Sequence, residues 1–262
     1  MEGAGTGKSR EVGGSPARVS CARRHDLNVT GLRRRGNTAD TFSVMSQLPT
    51  PDDVERAYNR WASSYDADKN ATRDLDALVM RRAPIELEGR DVLELGSGTG
   101  KNTVYLAEHA RHVTALDFSE GMIARAHQRL VTSNVKFIRH DVRELWPLPA
   151  ASVDVVVANL ILEHVHDLAP VFFEAARVMR PKGQLFICEL HPYRQLVGVQ
   201  AHFTDPSTGE TVKVAAHSHS VSEFVNGGIE AGFSLRAIGE SIEEGAPPDA
   251  LPRLISLLFD LG

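Results

Sequence analysis

The sequence predicts an α/β fold built on a parallel sheet with helices on both faces. Short apolar runs alternate with helical patterns from residue 91 to residue 189, the order expected of strand–helix–strand units. The runs are continuously apolar, as in DVLEL at 91–95 and VDVVVA at 153–158, which is the pattern of strands buried on both faces. The composition is 42% hydrophobic and 24% charged, an ordinary globular balance. Right-handed crossovers place all the strand C-termini on one edge, where ligands bind.

The elements follow in order. PDDVERAYNRWASSYD opens with Thr50 as cap, Pro51 in the first turn and two acids after it, a helix start. Val54, Ala57, Tyr58, Trp61 and Tyr65 share one helical face. A second helix spans about 73–82 and stops before Pro84. A strand at 91–95 ends in glycines, and a helix covers 102–109. A strand at 112–116 ends at Asp117, and Ser119 caps a helix to about 131. A strand at 135–139 ends at Asp141. After the strand at 153–158 come a helix at 168–179, ending before Pro181, and a strand at 184–189. Residues 190–220 break the alternation and read as an insertion with a hairpin around 205–209. A helix at about 221–231 and strands at about 234–239 and 252–259 close the chain.

Residues 1–44 carry eight Lys/Arg against four Asp/Glu, are rich in Gly, Ser and Thr, and have no apolar period. They cannot bury enough surface to order themselves. We therefore expect a disordered Arg-rich arm over 1–50 and one domain over 51–262. Three readings of the arm stand open. It is an over-long start with Met45 as initiator, an organelle transit peptide, or a basic tail for an acidic partner. Four acids argue against the transit peptide.

Residues 45–262 carry 21 Lys/Arg and 30 Asp/Glu. So acidic a body is not built to hold nucleic acid. No apolar run reaches the roughly 18 residues of a membrane span. Two cysteines, Cys21 and Cys188, give neither a disulfide framework nor a zinc site, and suit a reducing compartment. A cytoplasmic location is expected, or an organelle if the arm directs import.

Two glycine-rich stretches invite a ligand: GAGTGKS at 3–9 and GSGTGKN at 96–102. A phosphate loop needs G-x-x-x-x-G-K-[ST]. The first stretch has Glu2 at the leading position and no strand before it; the second has Leu95 there and Asn102 for the hydroxyl. A dinucleotide loop needs G-x-G-x-x-G, and Lys101 takes the last glycine's place. Glu94, two residues before Gly96, would repel a pyrophosphate and welcome an ammonium. A nucleoside joined to a cationic amino acid satisfies both demands, and S-adenosylmethionine (SAM) is such a molecule.

VLELGSGTG resembles motif I of the class I SAM-dependent methyltransferases. Later segments resemble further motifs in order: Asp117, 21 residues after Gly96, then Asp141-Val142, ANLILEHVHD and RVMRPKGQLFICE. YNRWASSYD resembles the lid helix of the small-molecule, methyltransferase type 11-like subgroup. The resemblance covers about 52–260. It implies a Rossmann-like seven-stranded mostly parallel sheet with the last strand antiparallel. It implies SAM as cofactor, with Gly96, Ser97, Gly98 and Gly100 against the methionine part and Glu94 balancing the ammonium. Asp117 would take the ribose. Phe118 or Met122, with Asp141 and Val142, would meet the adenine, and Asn159 and Tyr65 would lie nearby.

Methyl transfer needs alignment and, for O- or N-acceptors, a place for a proton. Histidine has the pKa for that. His191, directly after the fifth strand, and His164 are the catalytic candidates. Asn159, Glu163, His166, Tyr193 and Arg194 are further candidates at the same edge. His217 and His219, with His202 or His191, lack any diagnostic metal spacing, and no metal is expected. The expected function is methyl transfer from SAM to an O, N or S atom of a small molecule. The alternatives are a tRNA or protein methyltransferase docking through the arm, and a non-catalytic SAM-binding partner subunit. An NAD-dependent oxidoreductase is the rival at the level of fold.

Overall fold

The computed structural model describes residues 51–247 and 249–262. The arm over 1–50, GAGTGKS and the Thr50 cap lie outside them. Helix α1 (Pro51–Trp61) and helix α2 (Ala71–Arg82) precede the first strand. The second helix starts earlier than its apolar pattern suggests, because the Asn70 side chain accepts the Arg73 N–H at 3.0 Å and caps it. Strands β1 (Asp91–Leu95), β2 (His112–Asp117), β3 (Val135–Arg139), β4 (Val153–Asn159) and β5 (Met179–Leu190) follow. Between them run α3 (Lys101–His109), α4 (Glu120–Arg129) and α5 (Ala169–Val178). The predicted strand at 184–189 proves longer, since the chain is already paired at Met179 opposite Val153. Gly183 permits this: a Cβ there would lie 2.8 Å from the Asp154 carbonyl oxygen.

The insertion contains α6 (Pro192–Leu196) and a hairpin of β6 (His202–Thr204) and β7 (Thr211–Lys213). Helix α7 (Val221–Glu230) opens on a reciprocal capping box between Ser220 and Glu223. Strands β8 (Phe233–Ser241) and β9 (Leu254–Leu261) complete a seven-stranded sheet of order β3-β2-β1-β4-β5-β9-β8. Only β9 runs against its neighbours. The strand order reverses between β1 and β4, where the crevice of a doubly wound sheet opens.

Alternation along the strands feeds two cores. Leu93, Leu95, Val156 and Ile187 pack with Phe172, Phe224 and Phe259 under α5 and α7. Val92, Val155, Val157 and Phe186 pack on the other face with Met80 of α2 and Leu106 of α3. A third cluster lies apart from both. Val54, Ala57 and Trp61 of α1 meet Met122 of α4 and Phe203 and Val214 of the insertion. The Trp61 and Phe203 rings stack at 5.1 Å, and Arg60 Nε donates to Asp205 at 2.9 Å. The apolar stripe of α1 is thus filled by the insertion.

Candidate active site

The β1–α3 turn is shaped by three left-handed glycines, Gly96 at φ 68°, Gly98 at 54° and Gly100 at 80°, a region other residues enter at a cost. Asp117, at the end of β2, ties the turn to the sheet edge. Its Oδ2 accepts the Gly98 N–H at 2.7 Å and its Oδ1 the Ser119 N–H at 2.9 Å. Burial pushes the Asp117 pKa up to about 6 against these two donors.

Two chambers meet over this turn, sharing walls at Gly96, Phe118, Ile161 and His164. One is lined by Asp117, His140, Asp141 and Val142. Burial alone would raise the Asp141 pKa, but the fork of Arg143 outweighs it and holds the carboxyl below its ordinary value. His140 Nε2 is buried there without a partner among the described residues.

The other chamber is lined by Tyr65, Arg73, Asp76, Glu94, Ser97 and Asn159, among others. Glu94 is 4% exposed. Burial pushes its pKa up to about 8; the Thr103 hydroxyl, donating at 2.6 Å, opposes this, and Asp117 and Asp76 add to it. Asp76 accepts Asn102 Nδ2 at 2.8 Å and Asn159 Nδ2 at 2.6 Å, and burial raises its pKa too. Arg73 lies 4.0 Å from the Tyr65 ring centroid and donates to the carbonyls of Tyr65 and Asp68. Its Nε is buried and unpartnered among the described residues, as are Ser97 Oγ and Asn159 Oδ1. Two buried carboxylates and a guanidinium on one chamber complement the two ends of an α-amino acid.

Most of the residues singled out in the sequence converge here. Glu163, His166, Tyr193 and Arg194 line neither chamber, and nor do three of the cofactor and catalytic candidates. Gly100 is the N-cap of α3, where a Cβ would sit 3.3 Å from that of Ala126. Met122, in the first turn of α4, turns into the cluster beneath α1, so Phe118 alone of that pair faces the chambers. His191 is fully buried and turned away. Its Nδ1 accepts the Tyr193 N–H as the cap of α6, and its Nε2 faces Glu240 at 3.0 Å. The backbone of His191 ends β5 at the ligand edge, but the ring serves the helix that begins there. Arg73 and Asp76 were not singled out. Their signal was their spacing, three apart in a helix and hence on one face.

His164 lines both chambers. Its Nδ1 lies 2.8 Å from the Ala215 carbonyl, which only accepts, so Nδ1 carries the hydrogen. Nε2 then accepts from the Tyr58 hydroxyl at 2.8 Å. Burial pushes the Tyr58 pKa well above the usual phenol value, with Tyr65 and Glu163 adding to it, so Tyr58 stays a neutral donor. Among the described residues no group of three or more His, Cys, Asp or Glu is arranged to hold a metal. No helix among them is long and apolar enough to cross a membrane.

Comparison with known proteins agrees with the geometry. The methyltransferase domain family matches residues 93–187. An uncharacterized methyltransferase of Emericella nidulans is 28% identical over 216 residues, 68% of this chain and 75% of that protein. A demethylmenaquinone methyltransferase of Clavibacter sepedonicus is 29% identical over 191 residues, covering 69% and 76% respectively. The solved structure of a DhpI–SAM–HEP complex superposes with a TM-score of 0.61 at 26% identity, over 80% of this chain and 99% of that one. In sequence and fold the chain is similar to the class I SAM-dependent methyltransferases, enzymes whose cofactor is SAM.

Proposed function

We propose that this enzyme methylates an O, N or S atom of a small molecule, with SAM seated across the two chambers. The observation that carries this is a third chamber. It shares Tyr58, Tyr65, Arg73 and Leu160 with the Glu94 chamber and is closed by the insertion at Val199, Gln200 and Ala201. An acceptor there meets the methionine end of the cofactor. Its walls are side chains of α1, α2 and the insertion rather than an open face, which suits a small molecule. The acidic body argues in the same direction, since nucleic-acid affinity comes largely from Lys/Arg contacts to phosphate.

The residues present fit SAM. Glu94, a buried carboxyl with no ion pair among the described residues, takes the ammonium, and the Arg73 Nε–H, unpartnered among them, takes the carboxylate. Asp117 accepts from the ribose hydroxyls, and Phe118, Asp141 and Val142 meet the adenine. SAM bound there supplies an electrophilic methyl on a sulfonium. The chain aligns the acceptor, excludes water beneath the aromatic lid of Tyr58, Trp61 and Tyr65, and takes the acceptor's proton on the Tyr58 hydroxyl oxygen as that hydroxyl passes its own proton to His164 Nε2.

Two expected results follow from these roles. Asp117→Asn weakens SAM binding by about 1–3 kcal/mol, because an amide is the poorer acceptor; an unchanged dissociation constant by calorimetry would place the ribose elsewhere. His164→Ala lowers kcat by about 100-fold or more, read by turnover kinetics at saturating SAM; an unchanged kcat would take His164 out of the proton's path. The whole reading is tested by incubating the enzyme and SAM with a metabolite pool and finding the methylated product by mass spectrometry. A chain lacking residues 1–44 should keep its rate. Loss of turnover on that deletion would instead favour a macromolecular substrate docked through the arm.

A further inference from the structure

We infer that the acceptor is a small organic anion, its carboxylate or phosphate held by Lys69 and Arg253 in the third chamber. This rests on the methyl-transfer reading above and names the substrate class of that same site. The lining of the chamber runs against the composition of the body. Residues 45–262 carry more acids than bases. Yet the chamber's one carboxylate, Glu163, faces Lys69, Arg73, Arg253 and His202. Arg73 also lines the Glu94 chamber and is assigned to the cofactor, so the remaining cations are in question.

Lys69 is exposed and makes no ion pair among the described residues. It stands immediately before the Asn70 cap of α2, where its ammonium reaches the chamber rim. Arg253 is held rigidly. Its Nη1 donates to Thr72 Oγ1 at 3.1 Å, and Glu243 pairs with its guanidinium. Glu243 does not neutralise the region, because Arg194 Nη2 also reaches it at 3.6 Å. Two guanidiniums thus share one carboxylate, and of the two only Arg253 lines the chamber with Lys69. A preorganised guanidinium and a mobile ammonium across a partly enclosed opening concentrate and orient an anion.

The inner end differs. Leu160, Leu190 and Ala201 form apolar wall, and Glu163, 6% exposed, accepts from Gln195 Nε2 at 3.3 Å. The anionic end of the acceptor therefore stays at the rim, and its nucleophilic end enters beside Tyr58. A cationic molecule of the same size would meet the rim charges first.

The test uses the full chain saturated with S-adenosylhomocysteine, read by tryptophan fluorescence, since Trp61 lines this chamber. A Trp146→Phe background removes the other tryptophan's signal. Malonate and inorganic phosphate are the anionic probes, and malonamide and ethanolamine the neutral and cationic ones. Malonate or phosphate should bind at least tenfold tighter than malonamide or ethanolamine, and the tighter of the two anions identifies the anchoring group. Lys69→Glu should weaken that anion about tenfold or more, and Arg253→Gln should do likewise. Lys69 is exposed, so its variant folds even if Arg253→Gln does not. Equal binding of malonamide and malonate, or an unaltered anion affinity in Lys69→Glu, with S-adenosylhomocysteine titrating normally, overturns the inference. Failure of S-adenosylhomocysteine to bind at all overturns the methyl-transfer reading and this inference with it.

Discussion

At pH 7, SAM binding releases about one proton, and Glu94→Gln abolishes that release while weakening binding by about 10- to 100-fold. The reason is electrostatic. Burial, with Asp117 and Asp76 nearby, pushes the free Glu94 carboxyl up to about 8, so at pH 7 it is mostly protonated. An ammonium placed beside it reverses the balance, because an opposite charge favours the carboxylate. The bound pKa falls below 7, and the displaced proton enters the buffer. Affinity therefore rises as pH climbs toward about 8. Beyond that the ligand's own amino group, with an ordinary pKa of about 7.7–8.0, starts to lose its charge. Calorimetry at pH 7 in two buffers of different ionisation enthalpy measures the release directly. A buffer-independent enthalpy for the wild-type enzyme would sink the assignment.

The same shift has a consequence for the empty protein, with the opposite sign. Between the ordinary value of 4.5 and the folded value of about 8, the folded state holds a proton that the unfolded chain has lost. Stability from this group is present below 4.5 and is lost as pH rises through 8. Glu94→Gln should therefore raise the melting temperature above pH 8 while it damages cofactor binding. Residues that serve a ligand are often poor for the fold.

The sequence was most legible where one local stretch decides the outcome. DVLEL and VKFIR are strands at the residues expected, the first nearly all buried and the second, at the sheet edge, only partly so, because a short β-rich run bounded by turn signals needs no distant information. Glu94 and Asp117 were legible for the same reason: each closes a strand beside the glycine turn. Arg73 and Asp76 were not, because α2 reaches the chamber through its packing on α3, β5 and β9. His191 was placed on the correct edge, but a cap on α6 decides where its ring goes, and no periodicity encodes that. Residues 190–220 looked unpatterned because their apolar partners lie about 140 residues away. Phe203 and Asp205 acquire meaning only against Trp61 and Arg60.

Gly96→Ala should cost the fold about 2–4 kcal/mol and abolish SAM binding, whereas Gly98→Ala should cost about 1 kcal/mol. Both glycines have positive φ, 68° and 54°, so both substitutions bear the left-handed penalty. They differ in what the new methyl meets. At Gly98 nothing lies within 4 Å. At Gly96 the Cβ would stand 2.7 Å from the Ile161 Cβ and 2.8 Å from its Cγ1. Rotating the Ile161 side chain does not relieve a contact with its own Cβ, so the backbone must move. That backbone is pinned: Glu189 Oε1 accepts the Ile161 N–H at 3.0 Å and the Leu162 N–H at 2.9 Å. Moving Ile161 would strip donors from a carboxyl already buried, and its wall is common to both chambers. Chemical denaturation of the two variants without cofactor measures the difference. Equal losses would mean that the Ile161 segment yields freely, and that the wall between the two halves of the SAM site is softer than its hydrogen bonds require.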